Sequence, residues 1–143
     1  MGKYFPPRQW PRLVPTGSIA VSIDCSGSQT RGMLANISDA GACVVCSGHF
    51  ERGSRFVLEI EIDSDKPPFT AEAEVIWSRD ETEAIGVSTF VHGVNFLMSD
   101  EQKVEIRAIL KRPDFRPPIV PDAMYGGAGV LHRLMGKLND EKR

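Results

Sequence analysis

Two short stretches of the sequence carry residue types suited to holding a ligand. Arg8-Gln9-Trp10-Pro11-Arg12 sets two arginines four positions apart, and Asn36-Ile37-Ser38-Asp39-Ala40-Gly41 begins 24 residues after the second of them. An arginine fork matches phosphate oxygens and the O6/N7 edge of guanine in bidentate fashion, and its plane stacks on aromatic rings. The Asn amide offers a donor and an acceptor together, and Ser adds a hydroxyl. Gly41 lacks the Cβ that would block a close backbone approach or a positive φ. Together these groups suit a ligand that is anionic, planar and guanine-bearing. Each also has a plainer reading. Arg8 and Arg12 read equally as solvated charges on a terminal arm, and Asn36, Ser38 and Gly41 as the makings of a tight turn. Trp10 reads as a cover for a ligand or as the residue that packs the arm down.

Chemistry of other kinds finds little support. The sequence holds no Gly-rich phosphate loop ending in Lys-Ser/Thr, no Gly-x-Ser-x-Gly and no His-Glu-x-x-His. His49, His92 and His132 fall in a turn, near a strand junction and on a tail helix, with nothing to set them beside a nucleophile. Asp63 and Asp65 precede Lys66-Pro67-Pro68 and read as a solvated turn. Cys43-Val44-Val45-Cys46 is formally a Cys-x-x-Cys, and His49 invites a zinc reading. The two valines favour a strand, however, which points residues 43 and 46 to opposite faces. A redox pair normally opens a helix instead. The cysteines therefore read as small buried hydrophobes. The expectation is a protein that is not an enzyme and holds no metal or cofactor.

The elements that must position the two motifs are written in the hydropathy pattern. Ile19, Val21 and Ile23 alternate with small or polar residues, as do Phe56, Leu58, Ile60 and Ile62, and again Ala71, Ala73, Val75 and Trp77. Shorter runs cover Met33 to Ile37, Gly41 to Cys46, and Ala84 to Phe96, the last with a break expected near Val91-His92-Gly93. Turn signals at Ser26-Gly27-Ser28, Ser47-Gly48, Arg52-Gly53 and Asp65-Lys66-Pro67-Pro68 separate them. Six or seven short strands at this spacing predict an antiparallel barrel. Ser99-Asp100-Glu101-Gln102 fits a capping box and opens a helix whose Ile106, Ile109 and Leu110 share a face and which Pro113 stops. Leu131, Leu134, Met135 and Leu138 predict a second, short amphipathic helix.

Composition bounds the rest. The chain has 143 residues, 41% hydrophobic and 25% charged, with a formal net charge of −2. That suits one globular domain with extensions. A pI near 5.9 argues against bulk binding to DNA, which needs a positive field. No run approaches 18 apolar residues, so no transmembrane segment is expected. The opening Met1-Gly2-Lys3-Tyr4-Phe5-Pro6-Pro7 has no apolar h-region, which predicts no signal peptide. With three cysteines, an odd number, the expected location is the reducing cytoplasm. Prolines 6, 7, 11 and 15 and prolines 113, 117, 118 and 121 crowd two segments that should be extended. The division expected is an arm over 1–15, a barrel with its helix over 16–112, and a proline-rich linker with a short amphipathic helix over 113–143.

In these motifs the sequence resembles the PilZ domain family, bacterial receptors for the second messenger cyclic di-GMP. The family pattern is R-x-x-x-R followed by [D/N]-x-S-x-x-G, and every defined position is met by Arg8, Arg12, Asn36, Ser38 and Gly41. Arg112-Pro113-Asp114-Phe115-Arg116 repeats the arginine spacing, but at the wrong end. The likeness continues through Ala73-Glu74-Val75-Ile76-Trp77, Gly93-Val94-Asn95-Phe96 and the helix from Ser99, covering roughly residues 5–112. It implies a mainly β fold, a six-stranded antiparallel β-barrel followed by a C-terminal α-helix, to which this chain adds a helical tail.

The resemblance also implies a mechanism. The ligand would lie on the outer face of the barrel with the N-terminal arm folded over it. Arg8 and Arg12 would contact phosphates and guanine edges and stack on the bases. Asn36 would bond a guanine edge, Ser38 would contact polar groups, and Gly41 would keep the turn close. As in some members, Trp77 would line the site against a guanine. Ordering of the arm would be the switch, read by a protein partner not yet identified. The stripe Leu131/Leu134/Met135/Leu138 could dock on that partner or on a second copy of the chain, as a homodimer, or pack on its own barrel. The alternative is a PilZ fold that binds no nucleotide and serves only as a protein-interaction module. Such members typically lack the arginine motif that this chain retains.

Overall fold

A two-residue turn starts the sheet: Ser26 and Gly27 sit at φ 53° and 85°, which lets β2 (Ala20–Cys25) fold back on β3 (Ser28–Ile37). Such left-handed pairs match the twist of the two strands they join. The computed structural model describes residues 12–63 and 65–117; before these strands comes β1 (Val14–Pro15). After them follow β4 (Gly41–Cys46), β5 (Arg55–Ile60), β6 (Phe69–Asp80), α1 (Thr82–Ile85), β7 (Phe90–Leu97), α2 (Asp100–Leu110) and β8 (Phe115–Arg116). The six longer strands pair antiparallel in the order β2-β3-β4-β7-β6-β5 and close on themselves, because β2 bonds β5 as well as β3. Closure removes the unpaired sheet edges that an open sheet of this size would leave exposed. The expected mainly β, six-stranded barrel with a following helix is what the chain forms.

Alternation sorts the side chains onto two faces. Val21, Ile23, Leu34, Val44, Leu58, Ile60, Phe69, Ala71, Ala73 and Val75 fill the interior in one cluster. Each fully buried large side chain there contributes about 1.5–3 kcal/mol. Met33, Ala35, Cys43, Val45 and Val91 form a second buried cluster, with Ala20, Trp77 and Ile85 against it. Its members are the strand neighbours of interior residues, so it lies on the outside of the barrel. Cys43 belongs to the outer cluster and Cys46 to the inner one. They do point to opposite faces.

One helix closes a barrel mouth. Ser99 Oγ accepts from Gln102 N–H at 3.2 Å, and Gln102 Oε1 accepts from Ser99 N–H at 2.9 Å, the reciprocal cap read from the sequence. Gln102 Nε2 also donates to Thr70 O at 2.9 Å, and Ile106 is buried in the interior cluster. Below α2, Arg112 grips both carboxylate oxygens of Asp63 at 2.8 Å and donates to Asp114. That contact holds the Asp63 carboxyl below its ordinary range. The second arginine pair in the sequence begins, then, with a structural residue. β1 pairs with β8, Val14 opposite Arg116, so the start and the end of the described chain meet in a ribbon beside the barrel.

The segment Ala84 to Phe96, read as strand, divides differently. Thr82–Ile85 is a single helical turn. Asp80 Oδ1 accepts from Thr82 N–H at 2.8 Å, and Gly86 at φ 93° ends the turn. The strand then runs unbroken from Phe90 to Leu97, with no interruption at Val91-His92-Gly93. His92 faces inward near the other mouth, where its Nε2 accepts from Phe50 N–H at 3.0 Å. No described helix is long and apolar enough to cross a membrane. The amphipathic stretch 131–138 lies outside the described residues.

Candidate functional site

Two β-bulges assemble the site. Pairing between β3 and β4 shifts between Leu34 and Asn36, and pairing between β6 and β7 shifts between Val75 and Trp77. An extra residue on one strand turns everything after it to the other face. Leu34 and Val75 are interior, so strict alternation would also send Asn36 and Trp77 inward. The extra residues Ala35 and Ile76 reverse this. Asn36 then pairs with Cys43, Cys43 with Gly93, and Gly93 with Trp77. One row crosses four strands on the outer wall, polar at one end, aromatic at the other and small between.

Each end of the row is unusual. Asn36 is 0% exposed, and among the described residues nothing hydrogen-bonds either its Nδ2 or its Oδ1. A buried, unpaired polar atom costs about 1–3 kcal/mol, a cost that a ligand with matching groups would remove. At the other end the indole of Trp77 lies against Gly93. A Cβ on Gly93 would stand 2.1 Å from Trp77 Nε1, so only glycine fits beneath the ring. The Arg79 guanidinium carbon lies 5.6 Å from the indole centroid, a cation–π distance.

The turn after Asn36 is fixed by its own hydrogen bonds. Ser38 Oγ accepts from Ala40 N–H at 3.2 Å and Gly41 N–H at 3.3 Å, and Ser38 N–H donates to Gly41 O at 2.8 Å. Gly41 is required by a neighbouring strand: a Cβ there would lie 2.2 Å from Val94 O. Asp39, buried between them, takes a bond from Arg107 Nε on α2 at 3.2 Å through Oδ2, while its Oδ1 has no partner among the described residues.

The first motif reaches the second through backbone. Leu13 N–H donates to Ile37 O at 2.7 Å, and Ile37 N–H to Leu13 O at 2.9 Å. That antiparallel bridge brings Arg12 alongside Ser38. Arg12 and Arg79 both lie near enough to the buried Cys43 thiol to act on it. Burial pushes the thiol up to about 11, against the pull of the two guanidinium charges. A thiol so protonated is a poor nucleophile and a poor metal ligand. The described residues contain no group of three or more His, Cys, Asp or Glu that could hold a metal ion.

Of the six residues singled out from sequence, Asn36, Ser38, Gly41, Trp77 and Arg12 thus border one stretch of outer wall. Arg8, like Trp10, lies outside the described residues. Sequence reasoning missed Arg79, Gly93 and Asp39. Arg79 had a signal, since it stands two residues beyond Trp77 on the same strand and so on the same face.

Comparison with known proteins identifies the family and the fold. Residues 6–112 match the PilZ domain family. The fold is similar to the PilZ domain of YcgR from Escherichia coli, solved with c-di-GMP, at TM-score 0.60 and 15% identity over 94% of this chain and 96% of that one. It is similar also to Bacillus subtilis MotI/DgrA, an inhibitor of motility, at TM-score 0.55 and 19% identity over 78% of this chain and 55% of that one. The complex of MrkH from K. pneumonia with c-di-GMP gives TM-score 0.55 and 14% identity over 75% and 53%. The chain thus matches about half the length of the latter two. No curated protein matches it in sequence.

Proposed function

Because the chain belongs to the PilZ domain family, we propose that it is a receptor for cyclic di-GMP, with the nucleotide on the outer wall between Asn36 and Trp77. The observation that carries this reading is the Asn36 amide, buried on the wall and unpaired among the described residues. A guanine edge, with donors and acceptors side by side, is the chemistry that would pair both its atoms. Support comes also from Arg12, which the Leu13–Ile37 bridge brings to the same turn, and from the YcgR and MrkH complexes with c-di-GMP. Arg8 and Arg12 bind the phosphates and guanine edges. Ser38 and Gly41 act chiefly by holding the turn, through the Ser38 hydroxyl bonds and the close approach of Gly41 to Val94.

On this reading residues 1–15 are the arm that closes over the nucleotide, 16–112 the receptor barrel with α2, and 113–143 the segment that carries the signal to a protein partner or a second copy of the chain. The protein works in the cytoplasm as an adaptor, not as an enzyme. Charge-assisted hydrogen bonds at about 1.5–3 kcal/mol each, with stacking of the guanidinium planes on the bases, offset the cost of association and of ordering the arm.

Titration calorimetry of the chain with cyclic di-GMP, with GTP as control and an Arg8→Ala/Arg12→Ala variant, tests this. Saturable binding of cyclic di-GMP alone, lost in the variant, is the expected result. A folded protein that gives no binding at high ligand concentration overturns it and leaves the protein-interaction module.

A further inference from the structure

We propose that Arg79 is a third ligand-binding arginine, contacting a phosphate, and that Trp77 serves the ligand through it as a platform rather than by stacking on a base. This rests on the receptor reading above and extends it to a residue outside both motifs.

Placement of the indole carries the argument. The bulge at Ile76 puts Trp77 and Arg79 on the outer wall, opposite Gly93 and Val91. With no side chain on Gly93, the ring settles against bare backbone, and the guanidinium lies over the ring, 5.6 Å from its centroid. A base arriving from solvent therefore meets Arg79 where it would have met Trp77. Glu81, largely buried, accepts from Arg79 Nε and fixes the orientation of the fork. Among the described residues, no hydrogen bond to the terminal Nη groups is present. Those groups carry four N–H donors in the geometry that matches phosphate oxygens.

The second support is the position of Arg12. Its charge and that of Arg79 both reach the Cys43 thiol, so both guanidiniums lie within electrostatic range of one small residue of the row. A phosphodiester above Cys43 would lie within the field of both guanidiniums. Arg79 is held on β6 by pairing with β7, Arg79 opposite Val91.

A double-mutant cycle tests both parts. Kd for cyclic di-GMP is measured by calorimetry for the wild type, Arg79→Gln, Trp77→Ala, Trp77→Phe and the Arg79→Gln/Trp77→Ala double variant, each with its thermal midpoint taken to verify folding. Arg79→Gln is expected to weaken binding about tenfold or more, the loss of one charge-assisted contact, and to flatten the dependence of Kd on salt. Trp77→Ala should weaken it comparably, Trp77→Phe little, and the double variant no more than Arg79→Gln alone. Arg79→Gln within twofold of wild type overturns the proposal. So does a double variant whose loss is the product of the two single losses, since Trp77 would then act on the ligand independently. A wild type that fails to bind overturns the receptor reading itself, and this inference with it.

Discussion

Replacing Asn36 with leucine should make the ligand-free protein more stable while removing its function. The two side chains share the same branched shape, so the exchange trades an amide for two methyl groups. In the free protein that amide is fully buried and, among the described residues, unpaired at both atoms. Each orphaned group costs about 1–3 kcal/mol. Leucine is somewhat larger, and crowding a filled site costs about 1–3 kcal/mol in return. The balance is a net gain of about 1–2 kcal/mol, or a rise of roughly 4–8 °C in the melting midpoint. Differential scanning calorimetry on the free protein reads the first effect, and titration with cyclic di-GMP the second. A midpoint that falls by several degrees would mean that the amide has partners in the free state. Retained affinity would mean that the ligand does not use it. Either result refutes the argument that a buried unpaired amide is held ready for a ligand.

Two further perturbations test the wall itself. Gly41→Ala places a Cβ 2.2 Å from Val94 O, where only a backbone shift relieves the clash; denaturant unfolding should show a loss of about 2 kcal/mol or more, and an unchanged midpoint would count against so close a strand approach. His92 titrates near 4 in the folded barrel, pushed down from 6.5 chiefly by burial and then by His49. Between those values the unfolded chain binds a proton that the folded chain refuses. Stability should therefore be full above pH 6.5, fall by up to about 3 kcal/mol as pH drops towards 4, and level off below. A His92→Gln variant should lose that slope; a wild-type stability flat from pH 7 to 4 would refute the assignment.

Much of this architecture was legible because local chemistry and fold agree. Ser99 with Gln102 announces a helix start that the hydrogen bonds bear out, and Gly41–Cys46 forms over the span its pattern gives. The bulges were not legible. Ala71, Ala73, Val75 and Trp77 alternate as one face, and nothing at Ile76 marks the residue that turns Trp77 outward. Only pairing with β7 does so, and pairing is a property of two strands. The same holds at Ala35, which sends Asn36 to the outer wall. The one-turn helix at Thr82 was missed for a related reason. Its stability comes from the Asp80 side chain, the Gly86 conformation and hydrogen bonds between Thr82 and Thr89, not from a hydrophobic face.

The ribbon that joins β1 to β8 has a mechanical consequence. Val14 and Pro15 lie opposite Arg116 and Phe115, and Thr16 N–H donates to Asp114 O at 2.8 Å. The chain therefore enters and leaves the barrel at one clasp, with Leu13 tied at the same time to Ile37. A load applied at Val14 or Pro15 is shared, through backbone hydrogen bonds, with the residues that follow α2. Such a load passes from β1 to β8 directly, without crossing the barrel wall.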